Sequence, residues 1–124
     1  MPTTLAIALA GAGGVLARYG LDSLVTNRVG PAFPWGTVAI NVIGCFLAGL
    51  VWVTLSGRPG TPEWLRPALA IGFLGGFTTF SAFAVQSLAL IEAGSYGLAA
   101  LNLAGSVVAG VTAAGAGAWL GRAV

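Results

Sequence analysis

The sequence predicts an all-α membrane protein with four transmembrane helices and a break in the third helix. Of its 124 residues, 57% are hydrophobic and 6% are charged, whereas soluble domains carry about 25% charged residues. One helical span of a bilayer takes roughly 20 apolar residues. The pattern therefore predicts a single four-helix transmembrane domain over residues 1–124, with spans at about 3–21, 35–55, 67–91 and 97–119.

The first two predicted spans are separated by a proline-containing loop. The first span is apolar until Arg18, Tyr19 and Asp22 make its far end polar and aromatic. Gly30 and Pro31 then interrupt the chain before a second span that carries no charge. We expect the first span to be a mature helix rather than a signal peptide, because neither a basic segment nor a cleavage-site pattern accompanies it.

The third predicted span contains an unusual cluster of small and hydroxylated residues near its middle. Such residues weaken helix propensity and offer the backbone alternative hydrogen-bond partners. The cluster therefore predicts a break in this helix, where carbonyl oxygens that suit a hard cation such as sodium become exposed. Its members are Gly72, Gly75, Gly76, Thr78, Thr79 and Ser81.

Loop charges leave the orientation in the membrane open. With the N-terminus in the cytoplasm, Arg58, Arg66 and Arg122 lie inside, while Arg28 and Arg18 lie outside. This near balance is what a chain inserting in both orientations would show, and such a chain can form an antiparallel dimer; chance is the other explanation. Since the charges form no basic run, nucleic acid is not an expected partner.

Polar residues at membrane depth are candidates for a transport pathway, because side chains of this kind are costly against lipid. Thr37, Asn41, Cys45 and Gly49 form an i, i+4 stripe on the second helix. The alternative explanation is helix packing, which also favours small and polar residues. The amide of Asn41 donates two hydrogen bonds without carrying a charge, which suits an anion that is losing water.

The fourth helix has a second polar pair, Asn102 and Ser106, one turn apart. Ser106 is equally able to bond a carbonyl of its own helix. On the third helix, Phe80 and Phe83 share a face. Two such rings are usually part of a core, but the positive edge of an aromatic ring can also contact a small anion.

The sequence lacks the parts that enzymes of the common classes need. It contains no histidine, one cysteine, no carboxylate near the middle of a span and no phosphate-binding loop. Metal hydrolysis, nucleophilic triads and nucleotide chemistry are therefore not expected, and we predict that the chain is not an enzyme. The absence of an acid inside a span also fits proton-coupled transport poorly.

Three motifs resemble the CrcB or Fluc family of fluoride channels in order and spacing. They are residues 13–20 (GGVLARYG), 35–45 (WGTVAINVIGC) and 72–81 (GFLGGFTTFS). The resemblance implies an antiparallel dual-topology dimer with two fluoride pathways. It also implies a structural sodium ion at the centre, held by third-helix carbonyls of both subunits, which map to Gly75 and Thr78.

The resemblance also implies which residues line the fluoride pathway. The pore residues map to Asn41, Phe80 and Phe83, with a polar track at Asn102 and Ser106. The family arginine maps to Arg18, at the entrance. We expect the hydroxyl groups of Thr37, Thr79 and Ser81 to contribute further donors along the pathway.

Two positions depart from the family pattern. Gln86 stands where the family often has an acid, and Asn102 aligns with a frequent tyrosine. A homodimer is the expected assembly, and a heterodimer with a related chain that completes the pore is the alternative.

The predicted function is passive export of fluoride across a bacterial plasma membrane, with lipid and fluoride as partners and sodium as a structural, untransported ion. The rival interpretations are a small multidrug exporter and a non-conducting structural subunit of a membrane complex. Such exporters rely on an embedded acid in the first helix, and this chain has none before Asp22.

Overall fold

The N-terminal half of the computed structural model, which describes all 124 residues, consists of two long helices. Helix α1 is Thr3–Val29 and helix α2 is Trp35–Thr54. Helix α1 ends at Gly30, which has a φ of 83°, a backbone conformation that glycine adopts without a steric penalty. The following loop contains Pro31 and Pro34, and it brings the chain back as α2.

Helix α1 is longer than the predicted first membrane span, which ends near residue 21. Helix α1 continues to Val29, about two turns further. The apolar stretch does end near residue 21, but residues 22–29 contain neither glycine nor proline. Since nothing there interrupts the backbone hydrogen bonds, the helix extends past the apolar stretch until Gly30 stops it.

The third span, Leu65–Glu92, consists of two helices joined by two non-helical residues. Helix α3 covers residues 65–77 and includes a π-helical segment at Ala68–Phe73. Thr78 (φ −81°, ψ 158°) and Thr79 (φ −149°, ψ 114°) are extended. Helix α4 then begins at Phe80 and ends at Glu92. We call Thr78 and Thr79 the extended segment.

Helix α5, Tyr96–Ala123, follows a short turn and contains a second π-helical segment at Leu101–Gly105. Four helices of the chain are thus long and apolar enough to cross a membrane: Thr3–Val29, Trp35–Thr54, Leu65–Glu92 and Tyr96–Ala123. The prediction of an all-α chain with four membrane-spanning helices is confirmed.

The helices pack as two close pairs, α1 with α3 and α2 with α5. Glycines make both contacts possible. A β-carbon on Gly14 would overlap the Phe73 carbonyl oxygen of α3, and one on Gly117 would overlap the Phe46 carbonyl oxygen of α2. Backbones that touch at glycine maximise dispersion contacts where lipid supplies no hydrophobic driving force. These two pairs place the extended segment of the third span beside the middle of α2.

Candidate functional site

The extended segment is held by the side chain of Asn41. Its Nδ2 donates a hydrogen bond to the Thr79 carbonyl oxygen at 3.0 Å, and its Oδ1 accepts one from the Thr79 N–H at 2.8 Å. Helix α2 can approach this segment because Gly44 has no side chain; a β-carbon there would overlap the Thr78 methyl group. One amide therefore satisfies both backbone groups of a residue that lies outside any helix, as a low-dielectric environment requires.

The hydroxyl of Thr79 satisfies a backbone N–H at the start of α4. The Ala82 N–H donates to Thr79 Oγ1 at 3.2 Å, which makes Thr79 the N-cap of this helix. On the other side of the segment, both the N–H and the hydroxyl of Thr78 donate to the Leu74 carbonyl, at 2.9 and 2.8 Å. The ends of the two half-helices are therefore closed by local hydrogen bonds.

These hydrogen bonds leave two carbonyls without their usual helical donors. In a continuous α-helix, the N–H of residue i donates to the carbonyl of residue i−4. The Thr79 N–H would then donate to Gly75 and the Ala82 N–H to Thr78, but both N–H groups donate to side chains instead. The carbonyl oxygens of Gly75 and Thr78 are thereby released.

Gly75 and Thr78 fit the chemistry of a hard cation such as sodium. Both line a cavity of about 360 Å³ between α2 and the third span, and the space beside the Gly75 α-carbon is open. Hard cations prefer oxygen ligands, including backbone carbonyls. No group of three or more acidic, histidine or cysteine side chains is placed to hold a metal ion.

The two phenylalanines predicted to contact an anion lie directly after the extended segment. The Phe80 and Phe83 ring centroids are 5.7 Å apart and the rings are tilted by 44°. Phe80 is 79% exposed on the single chain and lines the same cavity as Asn41, while Phe83 is half-buried. The two rings thus form a small aromatic surface beside the amide.

A chain of polar contacts connects α4 and α5 behind these rings. Asn102 is completely buried, and its Nδ2 donates to Ser87 Oγ at 2.9 Å. Ser87 Oγ donates in turn to the Phe83 carbonyl at 2.8 Å. Ser106 donates to Asn102 Oδ1 at 3.3 Å rather than to a carbonyl of its own helix. In the single chain, these side chains satisfy one another.

Ser87 has a part in this chain of contacts that the sequence did not reveal. Its position one turn after Phe83 was visible, but its partner Asn102 belongs to another helix. Only a known packing of α4 against α5 identifies that pairing.

A second cavity of about 310 Å³ brings three other predicted pathway residues together. Arg18 of α1, Thr37 of α2 and Thr79 line it, together with Gln86 of α4. Gln86 Oε1 is buried and has no hydrogen-bond partner, so a polar acceptor adjoins the space near the arginine. The cavity combines the Arg18 guanidinium and the Asp22 carboxylate with hydroxyl and amide groups. We call this cavity the vestibule.

The predicted pathway residues therefore form three groups. Asn41 and Phe80 line one cavity, Arg18 and Thr37 line another, and Asn102 lies in the buried contacts behind α4. Thr79 lines both cavities. Ser81 is exposed, and its hydroxyl lies 3.3 Å from Thr79 Oγ1. The extended segment is the place where the first two groups meet.

Comparison with known proteins identifies similar chains over nearly the full length. A family model described as "CrcB-like protein, Camphor Resistance (CrcB)" matches residues 5–118, a range that includes every residue of the site.

Three relatives are named fluoride-specific ion channel FluC. The protein of Magnetococcus marinus is 44% identical over 118 residues, covering 95% of this chain and 96% of its own. That of Novosphingobium aromaticivorans is 49% identical over 114 residues, covering 90% of each chain. That of Geobacter sulfurreducens is 50% identical over 107 residues, covering 86% of each.

Proposed function

This chain belongs to the CrcB family, and from that premise we propose that it is a passive, fluoride-selective channel. It is a multi-pass membrane protein, and its relatives are named as ion channels rather than enzymes. The single observation that carries the proposal is the amide of Asn41 beside Phe80 in one cavity at the interruption of a spanning helix. A neutral donor next to an aromatic ring edge suits an anion that has lost its water.

Asn41 still has a hydrogen-bond donor for fluoride after its contact with Thr79. An amide nitrogen carries two hydrogens, and Thr79 takes only one from Asn41. The second hydrogen remains for fluoride. Arg18 supplies positive potential in the vestibule, where the hydroxyl of Thr37 lies. Fluoride would exchange water for these groups and then pass the positive edges of Phe80 and Phe83.

Sodium would be held by the carbonyls of Gly75 and Thr78, where it supplies a fixed positive charge. A hard cation takes several oxygen ligands, more than the two released carbonyls of one chain. A second chain related by a two-fold axis in the membrane plane would contribute its own pair. The outward exposure of Gly75 and of Phe80 supports such a partner. The assembly is therefore an antiparallel dimer, made of two copies or of this chain with a related one.

The direction of transport follows from the membrane potential. A potential of 100 mV, negative inside, favours the exit of one anionic charge by about 2.3 kcal/mol. Fluoride that enters as the neutral acid and ionises inside would leave through a passive pore without any other energy source. We place this activity in the bacterial plasma membrane, since the relatives are bacterial.

The direct test is fluoride efflux from liposomes that contain only this chain. Sodium is present on both sides, and a potassium ionophore balances the charge. Fluoride release without chloride release is the expected result. Release of neither ion, also after a related second chain has been added, would contradict a channel function.

The antiparallel arrangement has its own test. In a Cys45→Ser background, Val124→Cys places a single thiol at the end of α5. A chain inserted in both orientations should be labelled about half from outside and half from inside by a membrane-impermeant thiol reagent. Labelling from one side only would exclude dual topology.

A further inference from the structure

The side chains that hold the extended segment act on the same carbonyls that would bind a cation. We propose that Asn41 and Thr79 are positioning residues of the cation site, and that they set its affinity by keeping two backbone N–H groups away from Gly75 and Thr78. The inference rests on the proposed sodium site. It assigns to Asn41 a role beyond that of donor to the permeating anion.

A carbonyl oxygen at the end of a helix can be occupied either by a cation or by a backbone N–H. In an α-helix, the carbonyl of residue i−4 points along the axis and accepts the N–H of residue i. A cation and that N–H then compete for the same lone pairs. Here the Thr79 N–H lies 2.8 Å from Asn41 Oδ1, and the Ala82 N–H lies 3.2 Å from Thr79 Oγ1. Each side-chain oxygen therefore replaces one helical acceptor.

The replacement is needed because an unpaired N–H at this depth is unfavourable. Leaving a buried donor without a partner destabilises a protein by more than a typical hydrogen bond stabilises it. If Asn41 lost its amide, the Thr79 N–H would regain a protein partner by returning to the Gly75 carbonyl. That movement would restore a continuous helix and remove an oxygen from the cation. The side chain thus opposes the helical conformation of the segment.

The geometry distinguishes this role from ordinary packing. Asn41 contacts both backbone groups of one residue, Thr79, with a donor and an acceptor at the same time. The Thr78 N–H donates to Leu74, so it does not compete for the Gly75 oxygen either. The two N–H groups that a continuous α-helix would direct at these carbonyls, those of Thr79 and Ala82, are both occupied by side chains.

Four variants test the inference. Asn41→Leu removes the amide at similar shape, and Thr79→Val removes the hydroxyl. Thr79→Ser keeps the hydroxyl and should therefore retain the sodium response of the wild type. Thr54→Val is the matched control, because Thr54 also loses one hydroxyl hydrogen bond, to the Leu50 carbonyl, but lies at the far end of α2.

The measurement is the thermal unfolding of the purified protein in detergent as sodium replaces N-methylglucamine at constant ionic strength. Wild type should be stabilised by sodium with a defined midpoint concentration. We expect Asn41→Leu and Thr79→Val each to raise this midpoint about tenfold. In each variant, sodium must displace one backbone hydrogen bond from a carbonyl, and the net contribution of one hydrogen bond corresponds to about that change in affinity. Thr79→Ser and Thr54→Val should keep the wild-type midpoint.

The outcomes separate the inference from the function on which it rests. Unchanged midpoints in Asn41→Leu and Thr79→Val, with a normal sodium response in wild type, would overturn the inference alone. A wild type without any sodium response would overturn both the sodium site and the inference. If Asn41→Leu does not fold, the comparison of Thr79→Val with Thr79→Ser gives the decision.

Discussion

Helix α2 meets its neighbours in two contrasting ways. Along α5 it is in direct backbone contact, since β-carbons on Gly49 and Gly117 would overlap the carbonyls of Ala114 and Phe46. Near its middle it contacts the extended segment through a polar side chain, Asn41, which bonds both backbone groups of Thr79. The first contact needs the absence of a side chain, and the second needs the presence of one.

The two contacts differ because α5 has already paired its backbone N–H and carbonyl groups, whereas the extended segment has not. Helix α5 pairs its own backbone groups, so it requires only close approach, and dispersion forces hold the pair together. The extended segment leaves backbone groups without helical partners at membrane depth, so it requires a donor and an acceptor from another helix. A substitution should therefore affect assembly at the glycine contact and ion handling at the polar contact.

The largest expected effect is at the glycine contact. Gly117→Leu would place a side chain where the Phe46 carbonyl lies. We expect a loss of roughly 4 kcal/mol or more of stability, as for severe overpacking, and hence no monodisperse protein by size-exclusion chromatography. Gly115→Ala is the matched control on the same helix, because no atom lies within 4 Å of the added carbon. A normally folded Gly117→Leu would show that the two helices are not in backbone contact.

The next largest effect is expected beside the polar contact of α2. The double variant Phe80→Ile, Phe83→Ile should fold, since Phe80 is 79% exposed on the single chain and Phe83 is only half-buried, but its fluoride flux in liposomes should fall on the order of a hundredfold. The reason is that isoleucine has no positive ring edge. Trp119→Leu removes another exposed aromatic ring, 71% exposed near the end of α5, and should conduct normally. Unchanged flux in the double variant would exclude the ring edges as fluoride contacts.

A smaller effect is expected behind α4. Asn102→Leu deprives Ser87 and Ser106 of their partner, which should cost about 1–3 kcal/mol of stability. Thermal unfolding in detergent measures this loss. If flux disappears while the unfolding temperature is unchanged, Asn102 belongs to the fluoride pathway rather than to the packing of α4 on α5.

The smallest effect is expected for Ser106→Ala. Its hydroxyl makes a single hydrogen bond of 3.3 Å, to Asn102 Oδ1, which is longer than the usual range for an O–H···O bond. The stability change should lie within about 0.5 kcal/mol. A flux loss that greatly exceeds this change, measured in liposomes, would favour the polar track predicted along α5.

Parts of the site could be predicted from the sequence because they depend on local properties. Asn41 was recognisable as a costly polar residue at membrane depth, and the small residues around Gly75 indicated a weak helix. The i, i+4 stripe on α2 proved to serve two neighbours, because Cys45 lines the cavity beside the extended segment while Gly49 lies against α5. A stripe shows that residues share a face but not which helix covers each turn of it.

The sequence by itself determined the number of spanning helices, and it indicated where the third is weak and which residues are too polar to face lipid. Composition, apolar length and residue type decide these properties, and all three can be read along the chain. Only the tertiary structure decided that Asn41 pairs with Thr79, 38 residues away, and that this pairing releases the carbonyl of Gly75. The physical reason is that a hydrogen bond between helices depends on their relative position, which the close packing of backbones at glycine establishes.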